Sequence, residues 1–130
     1  MKPYNQMILP VILLTLTSLN AFAKPSTAVR WYSAGARERM SVMTDMIETG
    51  KMTKTDLQDR LIDELTLFDS NMHLSFIADG NNSSKEIRSV QDYNYLKSLI
   101  VSFRSNQKSL EDFKINFETF LNEGSQRGGN

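Results

Sequence analysis

Read at alternating steps of three and four, Leu96, Leu99, Phe103, Asn106, Leu110, Phe113, Phe117 and Phe120 form one continuous seam. That spacing belongs to a helix that keeps a single edge buried, as in coiled-coil packing. Seven of the eight positions are apolar and four are phenylalanine. Ile100 and Leu121 widen the seam into the stripe a core-facing helix needs. A surface this apolar must be covered, by the rest of the chain or by another protein. The spacing predicts one long C-terminal helix over 85–123, ended by Gly124. Two features compete with it. Ile87 and Val90 lie out of phase with the seam, so a kink or break is expected around Gln91 to Tyr95. Ser105-Asn106-Gln107, followed by a Ser109/Asp112 cap signature, marks a second candidate break. The seam crosses 105–107 without a phase change, which favours a single helix. Asn106 has two readings: a polar residue that sets helix register, or a break with its side chain in water.

The N-terminus reads as a leader. Lys2 supplies a positive charge, residues 7–19 (MILPVILLTLTSL) are apolar, and Ala21-Phe22-Ala23 places small residues where a signal peptidase reads. Cleavage is expected between Ala23 and Lys24. The apolar run is shorter than the ~20 residues that span a bilayer, and Pro10 weakens a membrane anchor further. The layout resembles bacterial Sec-type signals, which implies a periplasmic protein, with full secretion as the alternative. The remainder, 24–124, is one domain, with 125–130 (SQRGGN) a disordered tail.

Within that domain a first helix is expected over 27–49, capped by Ser26 or Thr27 and stopped by Gly50. Its inward face reads Ala28, Tyr32, Ala36, Met40, Met43 and Ile47. The small-residue run Ser33-Ala34-Gly35-Ala36 would let another helix approach closely. A short connector predicts an antiparallel second helix over 53–78, capped by Thr53 with Asp56 and striped by Leu57, Leu61, Leu65, Phe68 and Met72. His73-Leu74-Ser75-Phe76-Ile77 is read as its last turns. Asp79-Gly80-Asn81-Asn82-Ser83 is the strongest breaker, and Ser83 or Ser84 can cap the next helix. The fold expected is all-α: a small bundle in which a helical hairpin packs on a long C-terminal helix. At about 1.5 Å per residue that helix would overhang the hairpin. Its Phe-rich end would then fold back or pair with a second copy, which predicts a homodimer or a heteromeric complex.

The chemistry is bounded mainly by what is missing. There is no cysteine, hence no thiol nucleophile, thiolate metal site or disulfide. The chain has 15 Lys+Arg and 15 Asp+Glu; without Lys2 the basic count falls by one, to 14. Near-neutrality gives no electrostatic case for nucleic acid or an anionic surface. The single histidine, His73, has Asp69 one turn before it, but Ser75 would face elsewhere, so no triad is expected. The pairs Asp63-Glu64 and Glu111-Asp112 diverge on a helix and are read as solvated faces. No phosphate-binding glycine loop or EF-hand pattern occurs, and no cofactor is expected. Met40, Met43 and Met46, with Met52 close after, could offer soft ligands to Cu(I) or fill an adaptable face. The candidate partner-binding residues are the aromatics Trp31, Tyr32, Tyr93, Tyr95, Phe113, Phe117 and Phe120, the residue types that dominate interface hot spots.

These features describe a non-enzymatic exported protein that binds and neutralises or escorts a protein partner. A holdase-type chaperone and a copper carrier working through methionines are the alternatives. The gross plan resembles several unrelated groups: periplasmic immunity proteins of type VI secretion effectors, small periplasmic helical chaperones, and accessory proteins of secretion or pilus systems. The LTxxQ repeats of one chaperone group are missing.

Overall fold

The computed structural model describes residues 25–125; the expected signal peptide and residues 126–130 of the expected tail lie outside the described residues. Four helices follow one another there: α1 Thr27–Glu48, α2 Lys54–Ala78, α3 Ser83–Arg104 and α4 Leu110–Glu123. No strand occurs among the described residues. The chain is an all-α bundle, as its periodicity predicts.

The first two helices follow the local signals. Ser26 Oγ accepts the Val29 amide at 3.2 Å and opens α1, and Gly50 leaves it at a φ of 77°. Thr53 and Asp56 form a reciprocal capping box at 3.0 Å in each direction. Those bonds to Thr53 hold the Asp56 carboxyl below its usual range. His73 to Ile77 are helical, and α2 ends at Ala78. The third helix starts at Ser83, two residues earlier than expected, and its cap is Asn82, whose Oδ1 accepts the Lys85 amide at 3.1 Å.

Of the kink or break expected around 91–95, the break does not occur: α3 is one continuous helix there. The buried face of α3 runs Ser89, Asp92, Leu96, Leu99, Ile100, Phe103. Its three-four phase never slips. Two polar residues hold the seam positions at its start, and the apolar pair beside them, Ile87 and Val90, points outward at 60 % and 42 % exposure.

The expected long helix is instead two helices, α3 and α4, divided at 105–109. Asn106 adopts a left-handed conformation with φ 62°, which a helix cannot continue through. Helix α2 holds this turn. Gln58 Nε2 donates to Phe103 O at 2.7 Å and to Asn106 Oδ1 at 2.9 Å, and Arg104 Nη1 donates to Gln58 O at 2.7 Å. Ser109 then caps α4 through the Asp112 amide at 3.1 Å. The Asn106 side chain therefore belongs to the break reading, although it bonds to α2 rather than facing only water.

The turn folds α4 back against α3 and α1, so nothing overhangs. Phe113, Phe117 and Phe120 become core residues, each burial contributing about 1.5–3 kcal/mol. A train of rings crosses all four helices. Phe103 stacks on Phe113 at 4.8 Å and Phe113 on Phe117 at 5.5 Å. Tyr32 meets Phe117 edge-on at 6.4 Å and Phe68 at 5.3 Å. Phe68 reaches Phe120 at 5.9 Å, which stacks on Tyr95 at 6.0 Å.

The end of α4 is clasped by α3. Asp92 Oδ1 accepts Ser125 N at 2.7 Å and Ser125 Oγ at 2.6 Å. Ser125, expected to begin the tail, is thus fixed to the bundle. Between them Gly124 has φ 67°, and a Cβ there would stand 2.9 Å and 3.0 Å from the two Asp92 carboxylate oxygens. Gly124→Ala should therefore cost about 1 kcal/mol or more, through both backbone strain and displacement of Asp92. A urea unfolding curve for the variant checks this; an unchanged midpoint would show that the clasp carries no stability.

Candidate functional site

Helices α1 and α2 run antiparallel. Thr27 at the start of α1 donates to Asp79 just past the end of α2 at 3.3 Å, and Arg39 in mid-α1 meets Glu64 in mid-α2. Along their interface lies a buried polar cluster. Tyr32 Oη donates to Glu64 Oε1 at 2.7 Å. Arg39 grips the same carboxylate in a bidentate fork, Nε to Oε2 at 2.8 Å and Nη2 to Oε1 at 2.9 Å. Burial, then the neighbouring Glu64 charge, pushes the Tyr32 hydroxyl far above its ordinary range. The hydrogen bond to Glu64 raises the Arg39 guanidinium further still.

This corrects the reading of Asp63-Glu64 as a solvated pair. Asp63 is exposed, but Glu64 is 5 % exposed. It stands seven residues after Leu57 and four before Phe68, on the buried stripe itself. Of the small-residue run at 33–36, Ala36 is buried in the core, while Gly35 has a different use. A Cβ on Gly35 would meet Arg39 Nη1 at 2.7 Å, so the missing side chain makes room for the guanidinium that reaches Glu64, not for another helix.

Over this cluster opens a cavity of about 420 Å³ between α1 and α2. Val42, Met43, Met46, Met52 and Leu67 give it an apolar wall, and Arg39 and Glu64 contribute its polar part. Exposed Glu38, Arg60 and Asp63 line it too. The apolar face extends beyond the cavity. Trp31 precedes Val42 by eleven residues, close to three turns, and Leu74 follows Leu67 by seven, close to two. Since the helices are antiparallel, both extensions run toward the same end of the bundle. Exposure of these four is 41 % for Trp31, 48 % for Val42, 39 % for Leu67 and 57 % for Leu74. Outside the cavity the face is interrupted, by Glu38 between Trp31 and Val42 and by Ser70 and Asn71 between Leu67 and Leu74, so the continuous apolar surface is the cavity wall.

The methionines divide between two faces. Met43, Met46 and Met52 line this cavity. Met40 lines a different one with Phe117 and Leu121 of α4. The triplet 40-43-46 therefore does not converge, and Met52 from the α1–α2 connector takes the third place. Among the described residues no group of three or more His, Cys, Asp or Glu is placed to hold a metal ion.

The seven aromatics proposed from sequence do not share a surface. Trp31 alone is open to solvent. Tyr32 is buried in the polar cluster, and Phe113, Phe117 and Phe120 are in the core, out of a partner's reach in this fold. Tyr93 and Tyr95 are half-buried, their rings against Phe68 at 6.2 Å and Phe120 at 6.0 Å. His73 is exposed, with Nδ1 2.9 Å from the Asp69 carbonyl of its own helix. Ser75 is buried and donates to Met72 O at 2.7 Å.

No family model, curated protein or solved structure significantly matches this chain.

The site therefore rests on its own geometry. Sequence reasoning missed Arg39, Glu64, Leu67 and Leu74. The signal for Glu64 was its phase. For Leu67 and Leu74 it was a seven-residue repeat beside the main stripe. Among the described residues no helix is long and apolar enough to cross a membrane.

Proposed function

We propose that this is a small exported helical protein, not an enzyme, that binds and neutralises or escorts one protein partner. The observation carrying the reading is the α1–α2 groove, with Val42 and Leu67 facing one cavity over a methionine floor. Two antiparallel helices with such a groove fit an amphipathic helix laid along them, anchored at i, i+3/4 and i+7. Methionines let the floor adapt to the anchors. Rim charges of both signs, Glu38 and Asp63 with Arg60, suit a partner helix whose flanks are mixed in charge.

The test uses exposed groove positions whose substitution spares the core. Val42→Glu with Leu67→Glu should cut recovery of one dominant partner from periplasmic extract by roughly tenfold or more, the effect of burying two unpaired charges at an interface. Ile115→Glu, an equally exposed change on α4, should leave recovery intact. Equal recovery by all three proteins, or a blank with the wild type, would overturn the reading.

The methionine floor favours two further readings. A holdase would suppress aggregation of several unrelated clients and bind no dominant one. A copper carrier would bind Cu(I) through Met43, Met46 and Met52; replacing these three with leucine should then abolish binding, while Met40→Leu should not.

A further inference from the structure

Residues of α1 and α3 line another cavity, of about 340 Å³, at the end of the bundle where α1 begins. It is lined by Pro25, Ser26, Thr27, Arg30, Lys85 and Arg88. Three of the six are cations and none is an acid. In a chain with equal numbers of acids and bases, that is a local segregation of charge which net charge conceals. We propose that this cavity binds a phosphate group.

Four observations carry the proposal. Arg88 Nη2 is buried and has no hydrogen-bond partner among the described residues. That nitrogen is closed to solvent, so an anion in the cavity would meet the other donors of the Arg88 guanidinium, which no hydrogen bond within the described residues occupies. Arg30 is held toward the cavity by its own surroundings: Nη1 donates to Pro25 O at 3.2 Å and Nη2 to Thr27 Oγ1 at 3.4 Å. These bonds use part of its fork and leave donors free. Helix α1 has no acid in its first turn, so its positive dipole end adds to the field instead of being neutralised. Glu86 and Asp92, two residues before and four after Arg88 on α3, are outside the lining, as is Asp79. Asp79 takes Thr27 Oγ1 at 3.3 Å and Lys85 Nζ at 3.7 Å, and its side chain is 12 % exposed. It offsets one cation and leaves two guanidinium groups for a ligand. Arginine forks match phosphate oxygens, and the Ser26 hydroxyl, which only accepts from the Val29 amide, keeps its proton to donate.

Two sources present this group: a soluble phosphate compound and a phospholipid headgroup. The experiment separates them. Calorimetric titration of the protein with inorganic phosphate at constant ionic strength should give saturable binding. Arg30→Gln with Lys85→Gln, both exposed positions that leave the core untouched, should weaken it by roughly tenfold or more. Arg88→Gln should do the same. Sedimentation with phosphatidylglycerol vesicles, against phosphatidylcholine vesicles, then identifies the source. Binding to the anionic vesicles that phosphate displaces assigns the headgroup. Phosphate binding with no vesicle binding assigns a soluble phosphate compound. Phosphate affinity unchanged in both variants, or no binding to phosphate or to either vesicle, overturns the proposal. The cavity is remote in sequence and lining from Val42 and Leu67, so the partner-binding reading stands or falls separately.

Discussion

Phe68→Ala should remove about 3–5 kcal/mol of stability, the usual cost of deleting a buried phenylalanine. Few positions touch so much. Phe68 is fully buried, and its ring meets Tyr32 at 5.3 Å, Phe120 at 5.9 Å and Tyr93 at 6.2 Å. These neighbours come from the other three helices. The gap left behind cannot close by shifting one element, because each is held elsewhere by the ring train and by the Gln58 bonds. A single domain of this size has on the order of 5–15 kcal/mol in total. The variant should therefore show a large fall in its urea midpoint, followed by far-ultraviolet circular dichroism. A loss below about 1 kcal/mol would mean the rings are not packed as described.

The second large effect belongs to the buried carboxylate. Glu64→Ala should cost about 2–3 kcal/mol. Arg39 is 37 % exposed in its side chain and can turn to water, so the loss falls mainly on the Tyr32 hydroxyl, stranded without an acceptor in the core. Glu64→Gln keeps an acceptor oxygen and should cost less. Tyr32→Phe removes the donor but leaves the Arg39–Glu64 fork, and should cost about 1 kcal/mol at neutral pH. The same pair sets an alkaline limit. The folded Tyr32 hydroxyl holds its proton well above the value of the unfolded chain, about 10. Its contribution is complete below that pH. Above it the unfolded state loses the proton while the folded state keeps it, so stability declines as pH rises. Tyr32→Phe should flatten this alkaline decline in unfolding curves; an identical slope in wild type and variant would contradict the buried hydroxyl.

Apolar periodicity made the helices legible, and cap chemistry their ends: Thr53 with Asp56, Gly50, and the breaker at 79–83. Periodicity was blind wherever a polar residue occupied a core position. Glu64 and Asp92 lie in phase with their stripes, yet the sequence reads Glu64 as surface and the segment around Asp92 as a slip, because burial of such groups depends on a partner from elsewhere in the fold. Tyr32 and Arg39 supply that partner for Glu64, and Ser125 does for one oxygen of Asp92. The turn at 105–109 was misread for a related reason. The seam spacing continues across it, while what stops the helix is a left-handed Asn106 held by Gln58, forty-eight residues away. Its local signature, Ser109 with Asp112, was visible but weaker than the seam. The α1–α2 groove was hidden because its apolar positions sit on the outer edges of two stripes, and only antiparallel pairing brings them together.

Trp31 is the only indole in the chain, and it is 41 % exposed on the groove face, apart from the ring train of the core. Its emission will therefore report on what settles against α1 and change little when the interior melts. A blue shift on adding a ligand would mark contact at that face, whereas a denaturation curve read at the same wavelength would understate the cooperativity of the bundle beneath it.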